Sequence, residues 1–198
     1  MDFKESKTFE NLMRAFAGES QARNRYTLAA ETAKREGYHV IEGIFNYTAN
    51  QEKGHAEQFV KLLRKGGVNN VNICAGYPVD LKDNTLDLLK DAAHNEQEES
   101  DNIYVNFSEV AKQEGFQREA FVFAEIAKVE KIHSERFKRL AQDLENNTMF
   151  SKPTEIKWMC SQCGYIITGK EAPKLCPVCE YPQKYFMPFS ETLASNQN

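Results

Sequence analysis

Two Glu-x-x-His pairs, Glu52/His55 and Glu130/His133, stand on apolar helical stripes in the middle of the chain, each behind a further in-phase glutamate, Glu19 and Glu96. At about 100 degrees per residue, positions three apart share a helix face, so each pair reaches one point, as does Glu96 with Glu99. A carboxylate in an apolar interior costs several kcal/mol unless it is paired or coordinates a metal. One isolated Glu-x-x-His is ordinarily a solvated face; two in phase with upstream glutamates are not. Five carboxylates and two imidazoles suit hard-to-borderline ions such as iron or manganese, and five negative charges nearly balance two divalent ions, which favours a pair of metals over one.

A second constellation closes the chain. Cys160-Ser161-Gln162-Cys163 and Cys176-Pro177-Val178-Cys179 form two knuckles with the spacing of a four-thiolate metal site, for which zinc and iron fit equally well by spacing alone. Trp158, Tyr165, Tyr185 and Phe186 are the aromatic groups expected to wrap it.

The elements that must position these residues follow from periodicity. Apolar residues recur at steps of three and four over 6–35, 39–65, 84–113 and 117–146, predicting four long amphipathic helices. Their inward stripes are expected to carry Phe16, Glu19, Arg23 and Tyr26; Phe45, Glu52, His55 and Phe59; Glu96, Glu99, Ile103, Phe107 and Val110; and Phe123, Glu130, His133 and Phe137. Arg23, Tyr26 and Tyr104 are candidates to pair with metal-bound carboxylates from behind. Short joints at Gly37 and Gly115 predict antiparallel hairpins, whereas the long stretch from Gly66 to Asn84 predicts one crossover running the length of the bundle. The step from Glu19 to Glu52 is 33 residues and from Glu96 to Glu130 is 34, so the halves read as a duplicated hairpin about a pseudo-twofold axis.

These readings divide the chain into a four-helix bundle at 1–147, a linker at 148–154 and a small metal-binding β domain at 155–198, the last too small to fold without its thiolate staple. With net charge -4 and pI about 5.7, no basic face for nucleic acid is expected. No run approaches the roughly 18 apolar residues that span a bilayer, and Met1-Asp2-Phe3-Lys4-Glu5-Ser6 lacks a signal-peptide pattern, so a cytoplasmic location is expected. His39 is expected at a helix start as a surface or capping residue, with Glu98, Glu125 and His94 off the stripes. Cys74 is expected as a small buried hydrophobe, a peroxidatic or resolving thiol being the alternative.

The stretches Ala17-Gly18-Glu19-Ser20-Gln21-Ala22-Arg23-Asn24-Arg25-Tyr26, Gln51-Glu52-Lys53-Gly54-His55, Glu96-Gln97-Glu98-Glu99 and Glu130-Lys131-Ile132-His133, with Cys-x-x-Cys-Gly-Tyr and Cys-Pro-x-Cys behind them, resemble the rubrerythrin family over nearly the whole chain. The resemblance implies a ferritin-like di-iron bundle and a rubredoxin-like Fe(Cys)4 domain in which zinc can replace iron. It implies Glu19, Glu52, Glu96, Glu99, Glu130 and His133 as iron ligands, with His55 and Glu99 exchanging at one iron. It further implies reduction of hydrogen peroxide in an anaerobe or microaerophile, rubredoxin or an NAD(P)H-linked rubredoxin reductase as electron donor, and a head-to-tail homodimer. A ferroxidase or iron-storage role is the alternative, and a zinc-stapled structural bundle a third reading.

Overall fold

The computed structural model describes residues 2–191; the end of the expected tail, 192–198, lies outside the described residues. The helices are α1 (Lys7–Arg35), α2 (His39–Leu63), α3 (Thr85–Glu98), α4 (Tyr104–Glu114) and α5 (Gln117–Glu145), with a π-helical turn, Glu99–Ile103, joining α3 to α4. Together they form a ferritin-like four-helix bundle, α3, the π turn and α4 making one long helix. Ser6 caps α1 by accepting from the Phe9 N–H at 3.1 Å, satisfying one of the donors a helix start leaves open. Gly37 (φ 78°) and Gly115 (φ 89°) end helices in the left-handed conformation that glycine adopts without strain, and each turns the chain into a hairpin.

Two apolar clusters lie above and below a polar layer. In α1 the order is Leu12, Glu19, Tyr26; in α2 it is Phe45, Glu52, Phe59; in α5 it is Phe123, Glu130, Phe137. Each step is seven residues, which keeps the three groups on one face. In the third long helix Leu89 and Glu96 keep that step, but the next inward residue is Tyr104, eight further on. The π turn inserts one extra residue and rotates everything after it. Ile103 is therefore exposed and Phe107 and Val110 only partly buried, while Tyr104, Ser108 and Ala111 face inward. This corrects the expectation of one uninterrupted helix over 84–113.

The crossover runs along α1 from end to end. Gly66 meets the Phe9 ring, Tyr77 Oη donates to the Arg14 carbonyl (2.9 Å), Asp80 pairs with Arg25, and the Thr85 N–H at the start of α3 donates to Glu36 (3.1 Å) near the far end of α1. The second hairpin thus starts where the first helix ends. A Cβ at Gly66 would lie 2.5 Å from the Phe9 ring. Gly66→Ala is expected to lower unfolding stability by about 1–3 kcal/mol, the usual range for overpacking, as read by denaturant melts of the metal-loaded protein.

The tail is a three-stranded antiparallel sheet in the order β2 (Ile166–Glu171), β1 (Ser151–Cys160), β3 (Phe186–Pro188). β1 begins at Ser151, inside the stretch expected as linker, and Met149 is buried in the bundle core while Phe150 packs against both cores. The joint is therefore packed, not a free tether. The His39 ring stacks on Tyr185 with centroids 4.1 Å apart, and Lys184 donates to the Glu36 carbonyl (2.7 Å) while lying over the Tyr38 ring. His39, expected as a surface or capping group, is a partly buried contact between bundle and tail.

Candidate di-metal and four-cysteine centres

Glu19 on α1, Glu52 and His55 on α2, Glu96 on α3, and Glu130 and His133 on α5 converge in the middle layer. Two overlapping groups result, Glu19/Glu52/His55/Glu130 and Glu52/Glu96/Glu130/His133, each with its ligand atoms within 4.8 Å of one another. Glu52 offers Oε2 to His55 Nδ1 (3.0 Å) and Oε1 to His133 Nδ1 (3.1 Å); Glu130 offers Oε1 to His55 (2.9 Å) and Oε2 to His133 (2.8 Å). Both carboxylates therefore bridge the two groups, and Glu19 and Glu96 each belong to one. The imidazole rings are nearly parallel, 5.9 Å apart.

Close as these approaches are, they lack hydrogen-bond geometry. Glu19 Oε2, both oxygens of Glu52 and of Glu130, Glu96 Oε2 and both imidazole Nδ1 atoms are buried without a hydrogen-bond partner. Buried polar atoms are paired almost without exception, so lone pairs that converge and bind nothing in the protein fit two metal ions. The donor set of carboxylate oxygen and imidazole nitrogen is that of di-iron carboxylate bundles, one Glu from each of two helices and Glu-x-x-His from each of the others.

The twofold repeat extends outward. Tyr104 Oη donates to Glu19 and Tyr26 Oη to Glu96, so each terminal carboxylate is oriented by a tyrosine from a neighbouring helix. The π turn breaks the repeat by adding Glu99, which stands outside both groups and lines a cavity beside the bundle. A second break lies behind the imidazoles. His133 Nε2 meets Gln51 Oε1 at 3.1 Å, and Arg136 donates to the same oxygen (3.1 Å) and to Thr48. An acceptor there fixes Nε2 as the protonated nitrogen and leaves the Nδ1 lone pair for metal. The residue that repeats Gln51 before Glu130 is Val129, which cannot accept, and His55 is 15% exposed where His133 is 0%. Gln51→Leu is expected to weaken metal binding at the His133 position by about 10- to 100-fold, as removing such a support ordinarily does, with the His55 position less affected. Competition with a chromogenic chelator measures it.

Without metal the cluster holds protons instead. Burial opposes charge on both imidazoles, but the carboxylates around them override it: His55 is raised by Glu130, Glu19 and Glu52, and His133 is raised to about 12 by Glu130, Glu52 and Glu96. Burial, then the charge of Glu130, pushes Glu19 up to about 8, and burial followed by Glu52 pushes Glu96 well up. Glu130 is the exception; burial would raise it, yet His133 and His55 hold it down at about 2. Metal must displace the imidazole protons, so loading is favoured as pH rises and opposed as it falls. Filling both positions at pH 7 is expected to release at least about two protons per chain, one from each imidazole with a further contribution from Glu19. Calorimetry in buffers of different ionisation heat would contradict this if clearly fewer than two were released.

Arg23 does not stand behind the metals. It is exposed in a groove with Ser20, Lys53 and Arg64, because Ala22 takes the inward place one turn after Glu19. The buried cation is Arg25, paired with Asp80 and lying over the Tyr26 ring at 5.5 Å from its centroid. Off the heptad stripe and paired with a crossover residue 55 positions away, it left no mark in local periodicity. Gln51 was visible only as part of the family motif. Cys74 is exposed, not buried, since the crossover lies on the surface. Glu98 and His94 are exposed and Glu125 pairs with Lys128, all away from the site.

In the tail, Cys160 and Cys179 bring their Sγ atoms to 3.7 Å, and Cys163 and Cys176 to 3.6 Å. Disulfides are about 2 Å long; a tetrahedron with metal–sulfur bonds of about 2.3 Å has edges near 3.8 Å, which these spacings match. Burial opposes a thiolate at Cys176, but the Cys179 and Val178 backbone N–H groups donate to it and hold its pKa down to about 7. Gly164 (φ 77°) follows the first knuckle and Glu180 (φ 60°) the second, both in the left-handed conformation.

Residues 10–141 match the rubrerythrin family model, and residues 158–187 match the model of the rubrerythrin rubredoxin-like domain. The chain belongs to the rubrerythrin family. It is 48% identical to the rubrerythrin of Porphyromonas gingivalis, across 93% of this chain and 91% of that one, and 47% identical to that of Clostridium perfringens, across 96% and 97%. A fully reduced, all-ferrous nigerythrin structure aligns with TM-score 0.63 and 28% identity over 93% of this chain and 90% of that one. The bacterioferritin of Desulfovibrio desulfuricans aligns at TM-score 0.67 over 74% and 85% with 21% identity, a likeness of fold. As a rubrerythrin-family protein the chain carries a carboxylate–histidine site for a di-iron pair and a four-cysteine cluster for one iron. No helix among the described residues is long and apolar enough to cross a membrane.

Proposed function

We propose that the protein is a non-haem di-iron peroxidase that reduces hydrogen peroxide to water, H2O2 + 2H+ + 2e- giving 2H2O, in the cytoplasm of an anaerobe or microaerophile. The observation that carries this reading is the pairing, in one chain, of two overlapping carboxylate–histidine groups with a four-cysteine cluster that would serve as an electron inlet; a storage protein has no need of the second. Bound as a ferrous pair, the metals supply two electrons, one from each ion, which matches the two-electron cleavage of an O–O bond. Glu52 and Glu130, shared by both groups, would hold the two ions together, Glu19 and Glu96 would each bind one, and Tyr26 and Tyr104 donate to Glu96 and Glu19. Burial and then the charge of Glu96 push the Glu99 pKa well up, which favours its carboxyl as the proton donor of the reaction.

Electrons enter at Cys160, Cys163, Cys176 and Cys179, from rubredoxin or an NAD(P)H-linked rubredoxin reductase. The tail rests on His39, and 13 residues of α2 separate His39 from Glu52, about 20 Å at 1.5 Å per residue. Tunnelling falls exponentially with distance, so a head-to-tail dimer that places one tail beside the partner's bundle gives the shorter path.

Anaerobic stopped-flow mixing of the di-ferrous protein with peroxide, and separately with dioxygen, tests the reading. Faster oxidation by peroxide is expected; faster oxidation by dioxygen would favour the ferroxidase or storage alternative and overturn it.

A further inference from the structure

A cavity of about 450 Å³ lies between the crossover and the π turn, reaching Glu99 and Tyr104 at its inner end and opening past Cys74. Hydrogen peroxide, two heavy atoms of roughly one water's ~30 Å³ each, fills only a small part of it. Ala15, Gly18, Tyr77, Pro78, Ile103 and Phe107 form an apolar wall, while Arg14, Asn95, Glu98, Glu99, Asn102 and Asn106 add polar groups to the lining. A chamber with an apolar wall and polar groups beside it matches an amphipathic molecule with a small reactive head.

The chamber is held open before any ligand arrives. Its outer wall, the crossover, is tied to α1 by Tyr77 Oη donating to the Arg14 carbonyl (2.9 Å) and Arg14 Nε donating to the Cys74 carbonyl (3.3 Å). Asp80 is the third tie: its carboxylate takes the buried Arg25 on one oxygen and the Asn95 amide (3.0 Å) on the other, so α1, the crossover and α3 meet at one side chain. A wall fixed in this way loses little conformational freedom on binding.

We propose that this cavity binds the organic group of small organic hydroperoxides, R–O–OH, so that such compounds are reduced beside hydrogen peroxide; the proposal rests on the peroxidase reading. The hydroperoxide O–H donates to Glu99 and R lies against Tyr77, Ile103 and Phe107. The reaction is R–O–OH + 2H+ + 2e- giving R–OH + H2O: the O–O bond breaks, each oxygen gains a proton, and the ferrous pair gives up two electrons, later restored through the four-thiolate centre. The alcohol leaves by the mouth through which the hydroperoxide entered.

The test uses the iron-loaded full-length protein and a variant that fills the chamber. A side chain at Gly76, which lines the cavity, has nothing within 4 Å of its Cβ, so Gly76→Phe adds bulk at the chamber wall without a clash at its Cβ. Gly18→Ala narrows it from the opposite wall, placing a methyl 3.4 Å from the Tyr77 ring. Stopped-flow oxidation of the di-ferrous protein by tert-butyl and cumene hydroperoxides is expected within about tenfold of the hydrogen peroxide rate. Gly76→Phe should slow the organic substrates by about tenfold or more, the scale of a few buried carbons, while changing hydrogen peroxide less than about twofold. Independently of iron, cumyl alcohol added to the metal-free protein should shift the NMR resonances of Ala15 and Ile103 in wild type and not in Gly76→Phe. The proposal is overturned if hydrogen peroxide reacts and neither organic hydroperoxide does, if Gly76→Phe slows all three equally, or if cumyl alcohol leaves those resonances in place. If hydrogen peroxide also fails to react, while cumyl alcohol binds, it is the peroxidase reading that falls.

Discussion

Glu130→Ala is expected to lose the dinuclear site outright and to unsettle the metal-free bundle as well. Its two oxygens lie 2.9 Å from His55 and 2.8 Å from His133, and among the described residues only Glu52 also approaches both imidazoles. Removing it leaves each metal with one fewer carboxylate and nothing but Glu52 to couple them. Metal analysis of the purified variant should fall from two bundle irons to one or none, with the tail's iron retained. In the metal-free state the same carboxylate is the chief partner of two protonated imidazoles, and breaking a buried pair by removing one member ordinarily costs about 3–5 kcal/mol. The metal-free variant should therefore melt well below metal-free wild type. The isosteric Glu130→Gln should recover part of the packing but not the metal. Two tightly bound irons per bundle in Glu130→Ala would show that the bridging arrangement is not what holds the pair.

The second large effect belongs to the tail. Its core is Trp158, Cys160, Ala172, Cys176 and Phe186, two of them metal ligands, and a sheet of this size cannot stand on that burial alone. Metal in comparable small thiolate sites contributes about 10–16 kcal/mol to folding. Cys176→Ser is expected to unfold the sheet and to free Tyr185 from His39, with the bundle left intact. The chain has a single tryptophan, Trp158, fully buried with its indole N–H donating to the Gly169 carbonyl (3.0 Å). Emission should shift from a buried to a solvated indole, while helical circular dichroism stays near wild type. An unshifted Trp158 in metal-free Cys176→Ser would mean that the sheet holds itself together.

Much of this architecture was legible along the chain because helices and knuckles are local. Heptad spacing in α1, α2 and α5 put Glu19, Glu52 and Glu130 in phase with the aromatic residues above and below them, and the two Cys-x-x-Cys spacings announced a metal site directly. The long stretch after Gly66 could only be a crossover once two short-jointed hairpins stood on either side of it. Where local pattern did not decide the structure, contacts with residues far away in sequence or a local change of helical period did. Arg23 and Arg25 differ by two positions, and the buried one is the one that meets Asp80. Ile103 and Tyr104 compete for the same inward place, and periodicity chose the wrong one because a π turn changes the period for a single turn. Cys74 looked like a core residue by type, and the course of the crossover put it on the surface.

Residue type and spacing by themselves determined that two metals could sit among four helices with a third behind them, because ligand chemistry and the 3.6-residue turn act over a few neighbours. The tertiary structure alone decided that Glu52 and Glu130 each approach both imidazoles while Glu99 lies outside both groups, that Gln51 stands behind His133, and that the crossover roofs a chamber beside the π turn. Those outcomes depend on how elements far apart in sequence pack, and no local pattern carries that information.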